Sequence, residues 1–174
     1  MPYFTNMRLV FNALQDVCPK HDWLISDLDC IWLDSSDEGR WPYPGASEYA
    51  PFENVAKSEE DVASRSVLVS GRELDEILNW NNVQFVWAVF SALLIGARPA
   101  TEKAPYAEGN AHLWEGSPKP QLPEAVLEIV CWDSSCCLLI GASEELATSF
   151  RESFPQALDL DAQNDRRHLT SPRR

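Results

Sequence analysis

Bases are in short supply in this chain: 14 Lys and Arg stand against 27 Asp and Glu, a formal net charge of −13. Phosphate backbones and anionic lipid surfaces attract cations and repel such a body, so nucleic acid and membrane drop out as partners and a basic protein surface remains. Histidine is scarcer still, confined to His21, His112 and His168. No nucleophile elbow, H-E-x-x-H pair or dinucleotide fingerprint accompanies them, so the sequence names no catalytic residue and no cofactor site. Long apolar runs are missing too. The longest, Val83 to Ile95, is 13 residues with Gln84 and Ser91 inside it, short of the roughly 20 a membrane span needs. The N-terminus shows polar interruptions where a signal peptide has an apolar core. The five cysteines are odd in number and include no C-x-x-C or C-x-x-H knuckle, which argues against a zinc site and against a secreted disulfide framework. These absences together describe a cytoplasmic protein with reduced thiols and no metal.

What is present is the material of one domain. A chain of 174 residues, 45% apolar and carrying seven tryptophans, can bury roughly 70% of its unfolded surface, and large aromatics supply much of that area. Met7, Val10, Phe11, Leu14 and Val17 recur at helical spacing behind a Thr5 or Asn6 cap, and Pro19 forbids continuation. Ser70 and Glu73 form a capping box for a helix over 71–79, and Ser143 caps another over 144–154. Residues 83–92 are apolar on both faces, as a central strand is. Asp133-Ser134-Ser135 is a three-residue hairpin loop that sets Trp132 opposite Cys136, Cys131 opposite Cys137 and Val130 opposite Leu138. Leu127, Ile129, Cys131, Cys137 and Leu139 then share one core-facing side, while the side that carries Glu128 is only partly covered.

The expectation is a single α+β domain over 1–160. Its mainly antiparallel sheet comes from 23–33, 66–69, 83–92, 125–132 and 136–141, with about three helices, at 6–18, 71–79 and 144–154. Two long irregular loops, 34–64 and 96–124, connect them, and 161–174 is a polar, frayed tail. Asp27 and Asp29 fall on one strand face, the geometry of a paired-carboxylate metal site. However, Ile31 occupies a position where a calcium loop needs oxygen, and a solvated strand face explains the pair better.

The densest charge lies between Asp22 and Asp61, with eleven acids against Arg40 and Lys57. Its loop interleaves aromatic residues, the type that anchors interfaces, with acids. The candidate partner-binding residues are Asp34, Asp37, Glu38, Trp41, Tyr43, Glu48, Tyr49, Glu53, Glu59, Glu60 and Asp61.

Three blocks carry a resemblance: Phe85-Val86-Trp87-Ala88-Val89-Phe90-Ser91-Ala92, Pro105-Tyr106-Ala107-Glu108-Gly109-Asn110, and Glu128-Ile129-Val130-Cys131-Trp132-Asp133-Ser134-Ser135. It continues through Glu144-Glu145-Leu146 and Phe154-Pro155-Gln156-Ala157, spanning about 66–161, with an echo at Ser26-Asp27-Leu28-Asp29-Cys30. The chain resembles small acidic bacterial proteins akin to the immunity partners of polymorphic or contact-dependent toxins. That resemblance implies a non-enzymatic binding protein whose partner is a basic cognate toxin. It assigns no functional residue, because the blocks are structural. The alternatives are a small-molecule sensor with its pocket under 34–64 or 96–124, and a divalent-metal-dependent hydrolase using Asp27 and Asp29. A homodimer through the hairpin face is a further arrangement.

Overall fold

A computed structural model describes residues 5–14, 17–32, 66–80, 83–99 and 104–170. Its elements are α1 (Met7–Ala13), β1 (Asp22–Trp32), β2 (Val67–Ser70), α2 (Gly71–Trp80), β3 (Val83–Leu93), β4 (Leu127–Trp132), β5 (Cys136–Ile140), α3 (Glu144–Ser153) and α4 (Leu160–Thr170). Single 3-10 turns at Cys18–Lys20 and Ala111–Trp114 interrupt the connections. The strands form one antiparallel sheet in the order β2-β1-β3-β4-β5. This is the α+β architecture expected from the sequence, with β3 at the centre.

Two unequal layers sandwich the sheet. On the first face, α1, α2 and α3 pack over Trp23, Ile25, Leu28, Phe85, Phe90, Ile129 and Cys131. Phe11 inserts edge-on between Trp23 and Phe90, with ring centroids 4.8 and 5.9 Å away. Fully burying each such side chain contributes about 1.5–3 kcal/mol. On the second face, Val89, Val130, Leu138 and Ile140 are covered by Ala107, Leu113 and Leu160, and Leu24 and Leu93 by Leu122. Both faces of β3 are therefore covered from Ala88 to Leu93, which is why its sequence shows no polar alternation there.

The local signals are built as read. Ser70 N–H donates to Glu73 Oε2 at 2.8 Å while Glu73 N–H donates to Ser70 Oγ at 3.3 Å, both halves of a capping box. Ser143 Oγ accepts from Leu146 N–H at 3.3 Å. In the β4–β5 hairpin, Trp132, Cys131 and Val130 oppose Cys136, Cys137 and Leu138. Asp133 and Ser134 both take positive φ, and Ser135 N–H closes the turn on Trp132 O.

The 96–124 connection is irregular where it is described, as expected, with one 3-10 turn, and from 104 onward it covers the second face of the sheet. Three expectations need correction. The first helix is shorter, ending at Ala13, and the chain re-forms as a 3-10 turn around Pro19, which lacks the amide an α-helix requires. The side of the hairpin carrying Glu128 is covered more fully than expected: Glu128, Val130, Leu138 and Ile140 are buried, while Trp132 and Cys136 near the turn are half-buried. Finally, within the segment read as a frayed tail, the residues up to Thr170 belong to α4. Asp159 accepts from Ala162 N–H at its start, and the amide of buried Asn164 donates to Gly116 O at 2.9 Å.

Candidate functional site

Two carboxylates sit under the second layer, and both hold backbone. Asp27 follows Ser26 in β1, where the ladder with β3 slips and the chain takes a φ of 49° at the aspartate. This bulge turns the side chain into the sheet–connection interface, leaving it 3% exposed. There its Oδ2 accepts from Ala107 N–H at 2.7 Å and Glu108 N–H at 2.8 Å, and Ser26 Oγ–H donates to Pro105 O at 2.7 Å. Glu128 pins the other end of the same connection. Its Oε2 accepts from Gln121 N–H at 2.8 Å, and its Oε1 from Leu122 N–H at 3.0 Å and Ser91 Oγ–H at 3.1 Å. Burial pushes the Glu128 carboxyl above its ordinary range, and the three hydrogen bonds oppose that shift. Between the anchors, Gln121 Oε1 accepts from Tyr106 N–H and from the Asn110 amide, drawing the two ends together.

The expected pairing of Asp27 with Asp29 on one solvated strand face is therefore overturned. Asp29 is exposed, whereas Asp27 is buried beneath 105–108 and engaged with two amides. A site in which both carboxylates reach one divalent ion has no support in this geometry. Among the described residues no group of three His, Cys, Asp or Glu side chains is arranged to hold a metal. The thiols are divided between faces: Cys131 and Cys137 belong to the first-face core, and Cys136 to the second. Cys18, pushed up to about 12 by burial and then by Asp75, donates to Gly71 O.

A concavity lies elsewhere, along β5. In the described sheet β5 has a strand neighbour on one side only, and a groove of about 690 Å³ runs past all five of its residues. One wall is apolar, made by Leu9 and Val10 of α1 and Phe150 of α3. The other brings Trp114, Lys119 and Arg167 together from the 104–126 connection and α4. Arg151 reaches Glu144 at 3.7 Å and Asp159 at 3.6 Å, tying α3 to the start of α4. Beside the groove a row of edge-to-face tryptophans runs from Trp87 to Trp132 to Trp114, with centroids 5.0 and 5.2 Å apart, and the Arg167 guanidinium lies 4.2 Å over the Trp114 ring. No local pattern in the sequence signals this groove, because its walls come from segments separated by more than a hundred residues.

The acid-rich loop singled out from the sequence, with Asp34, Asp37, Glu38, Trp41, Tyr43, Glu48, Tyr49, Glu53, Glu59, Glu60 and Asp61, lies outside the described residues. Among the described residues, Asp75 and Glu76 on α2, Glu144, Glu145 and Glu152 on α3, and Asp161 and Asp165 on α4 are exposed acids. No described helix is long and apolar enough to cross a membrane. No family model matches the chain, and neither a curated protein nor a solved structure does.

Proposed function

We propose that this chain is a non-enzymatic binding module of the immunity type, which neutralises a basic partner such as a cognate toxin by covering its cationic surface. The observation that carries the reading is charge: −13 overall, with eleven acids and two bases between Asp22 and Asp61. An acidic face of this kind steers a basic partner into encounter and can raise association by about 10–10³-fold, an effect that salt screens. The buried carboxylates fit the reading, because both serve the scaffold and leave the exposed acids as the recognition chemistry. The test is association kinetics with the product of the neighbouring reading frame. The triple variant Glu59→Gln, Glu60→Gln, Asp61→Asn should bind about tenfold more slowly at low ionic strength and show a shallower salt dependence. Unchanged kinetics would remove charge steering by this segment.

The β5 groove favours a second reading, a small-molecule sensor, since about 690 Å³ falls within the usual volume of ligand pockets. It lies at the sheet edge, and only its 114–119 wall belongs to the region expected from the sequence. A ligand at a hundred times its dissociation constant stabilises by about 2.7 kcal/mol, which a thermal melt reads as a rise. A library of small acids, bases and aromatics that leaves the melt unmoved would rule this reading out.

A further inference from the structure

Cys131 and Cys137 face each other across the last hairpin. They are Cα partners in the β4–β5 ladder, and both pack against the first-face core. Cys131 Sγ also lies 3.7 Å from Met7 Sδ. Opposed residues in an antiparallel ladder alternate between hydrogen-bonded and non-hydrogen-bonded pairs. Counting from Trp132–Cys136, which closes the hairpin, places Cys131–Cys137 in the non-hydrogen-bonded class. Such pairs hold their Cα atoms about 4.5 Å apart with side chains close, inside the range of about 4.4–6.8 Å that a disulfide spans.

The two thiols differ in access. Cys131 is fully buried, whereas Cys137 is half-buried and lines the β5 groove. The other three are placed for different contacts. Cys18 donates to Gly71 O, Cys136 lies on the opposite face beside Trp132, and Cys30 sits on β1 with β3 between it and β4.

We propose that this pair is a thiol-oxidation site, in which Cys137 reacts with a low-molecular-weight disulfide entering by the groove and Cys131 resolves the adduct into a β4–β5 cross-strand bond. In the first step the Cys137 thiolate attacks one sulfur of the small disulfide, an S–S bond forms, and one small thiolate leaves. In the second, Cys131 gives up its proton to that thiolate and attacks Cys137 Sγ, expelling the second small thiolate, which takes up the proton Cys137 had lost. Two protein thiols are oxidised by two electrons, and one small disulfide is reduced to two thiols. Burial holds the Cys131 thiol well above the ordinary range, which makes resolution the slow step and accelerates it as pH rises. The product fastens the edge strand β5, one boundary of the groove, to β4.

The test uses the full chain, folded, with oxidised glutathione at pH 8.5, where an ordinary thiol is about half ionised. Two of the five thiols should disappear with no glutathione retained, and a peptic map should link Cys131 to Cys137. Cys131→Ser should stop at a stable adduct on Cys137, and Cys137→Ser should leave Cys131 unmodified, with near-ultraviolet dichroism confirming that each variant is folded. If either variant fails to fold, the wild-type map decides alone. A persistent adduct on wild-type Cys137, a bond through Cys30 or Cys136, or five unreacted thiols overturns the proposal.

Discussion

Gly71→Ala is expected to destabilise the protein by about 3–4 kcal/mol, the range of severe overpacking, out of a typical total of about 5–15 kcal/mol. An added Cβ at this first residue of α2 would lie 1.8 Å from Cys18 O and 2.5 Å from His21 O. Both neighbours are backbone atoms, so neither can swing aside as a long side chain would. Cys18 is also fixed by its own bonds: its carbonyl accepts from Trp23 Nε1 at 3.0 Å, and its thiol donates to Gly71 O at 3.2 Å. Urea unfolding is the measurement, with Gly109→Ala as comparator. Gly109 has open space around it and a φ of 71°, so alanine there carries backbone strain of only about 1–2 kcal/mol. A Gly71 variant no less stable than the Gly109 variant would show that the turn at Cys18–Lys20 is not wedged against α2.

Glu128→Ala is expected to cost about 3 kcal/mol. It leaves the Gln121 and Leu122 amides without their acceptor, each orphaned buried group costing about 1–3 kcal/mol, and opens a gap beneath the connection. Hydrogen exchange should then quicken in 118–124 before it does in β4; equal protection in variant and wild type would argue against an anchor. Glu128→Gln isolates the charge. Folding raises the Glu128 carboxyl above its ordinary range, chiefly by burial. The stabilisation linked to its proton is therefore complete below the unfolded-state value of about 4.3 and is lost as pH rises through the higher folded-state value. Wild-type stability measured relative to Glu128→Gln should fall with rising pH across that window. A difference that grows with pH would mean that the hydrogen bonds outweigh desolvation.

Short-range chemistry made much of this fold readable in advance. The hairpin register follows from a three-residue loop, the starts of α2 and α3 from Ser70 with Glu73 and from Ser143, and the central place of β3 from its lack of alternation. What could not be read is what distant segments do to one another. Asp27 looks like any polar residue in a strand until Ala107 and Glu108, eighty residues on, present their amides to it. Glu128 alternates properly with its neighbours, and nothing nearby announces that Gln121 and Leu122 will fold back over it. α4 has little apolar patterning of its own and, besides Leu160, is held by Asn164 to Gly116 and Arg167 over Trp114, which no periodicity reveals. The β5 groove belongs to the same class, being a space between segments. The acid-rich loop, by contrast, was legible as composition and charge, and its eleven candidate residues lie outside the described ones.

The position of β1 between β2 and β3 has a consequence for synthesis. Trp23 lies opposite Val69 on one side and Ala92 on the other, so β1 emerges from the ribosome long before either partner exists. At about 5–20 residues per second, the roughly 70 residues separating Trp23 from Ala92 take about 4–14 s to translate. Until Val69 of β2 follows, earlier in that interval, Trp23, Leu24, Ile25 and Leu28 can bury themselves only against α1 or a chaperone. The acid-rich stretch that follows keeps the nascent chain strongly charged just behind this strand.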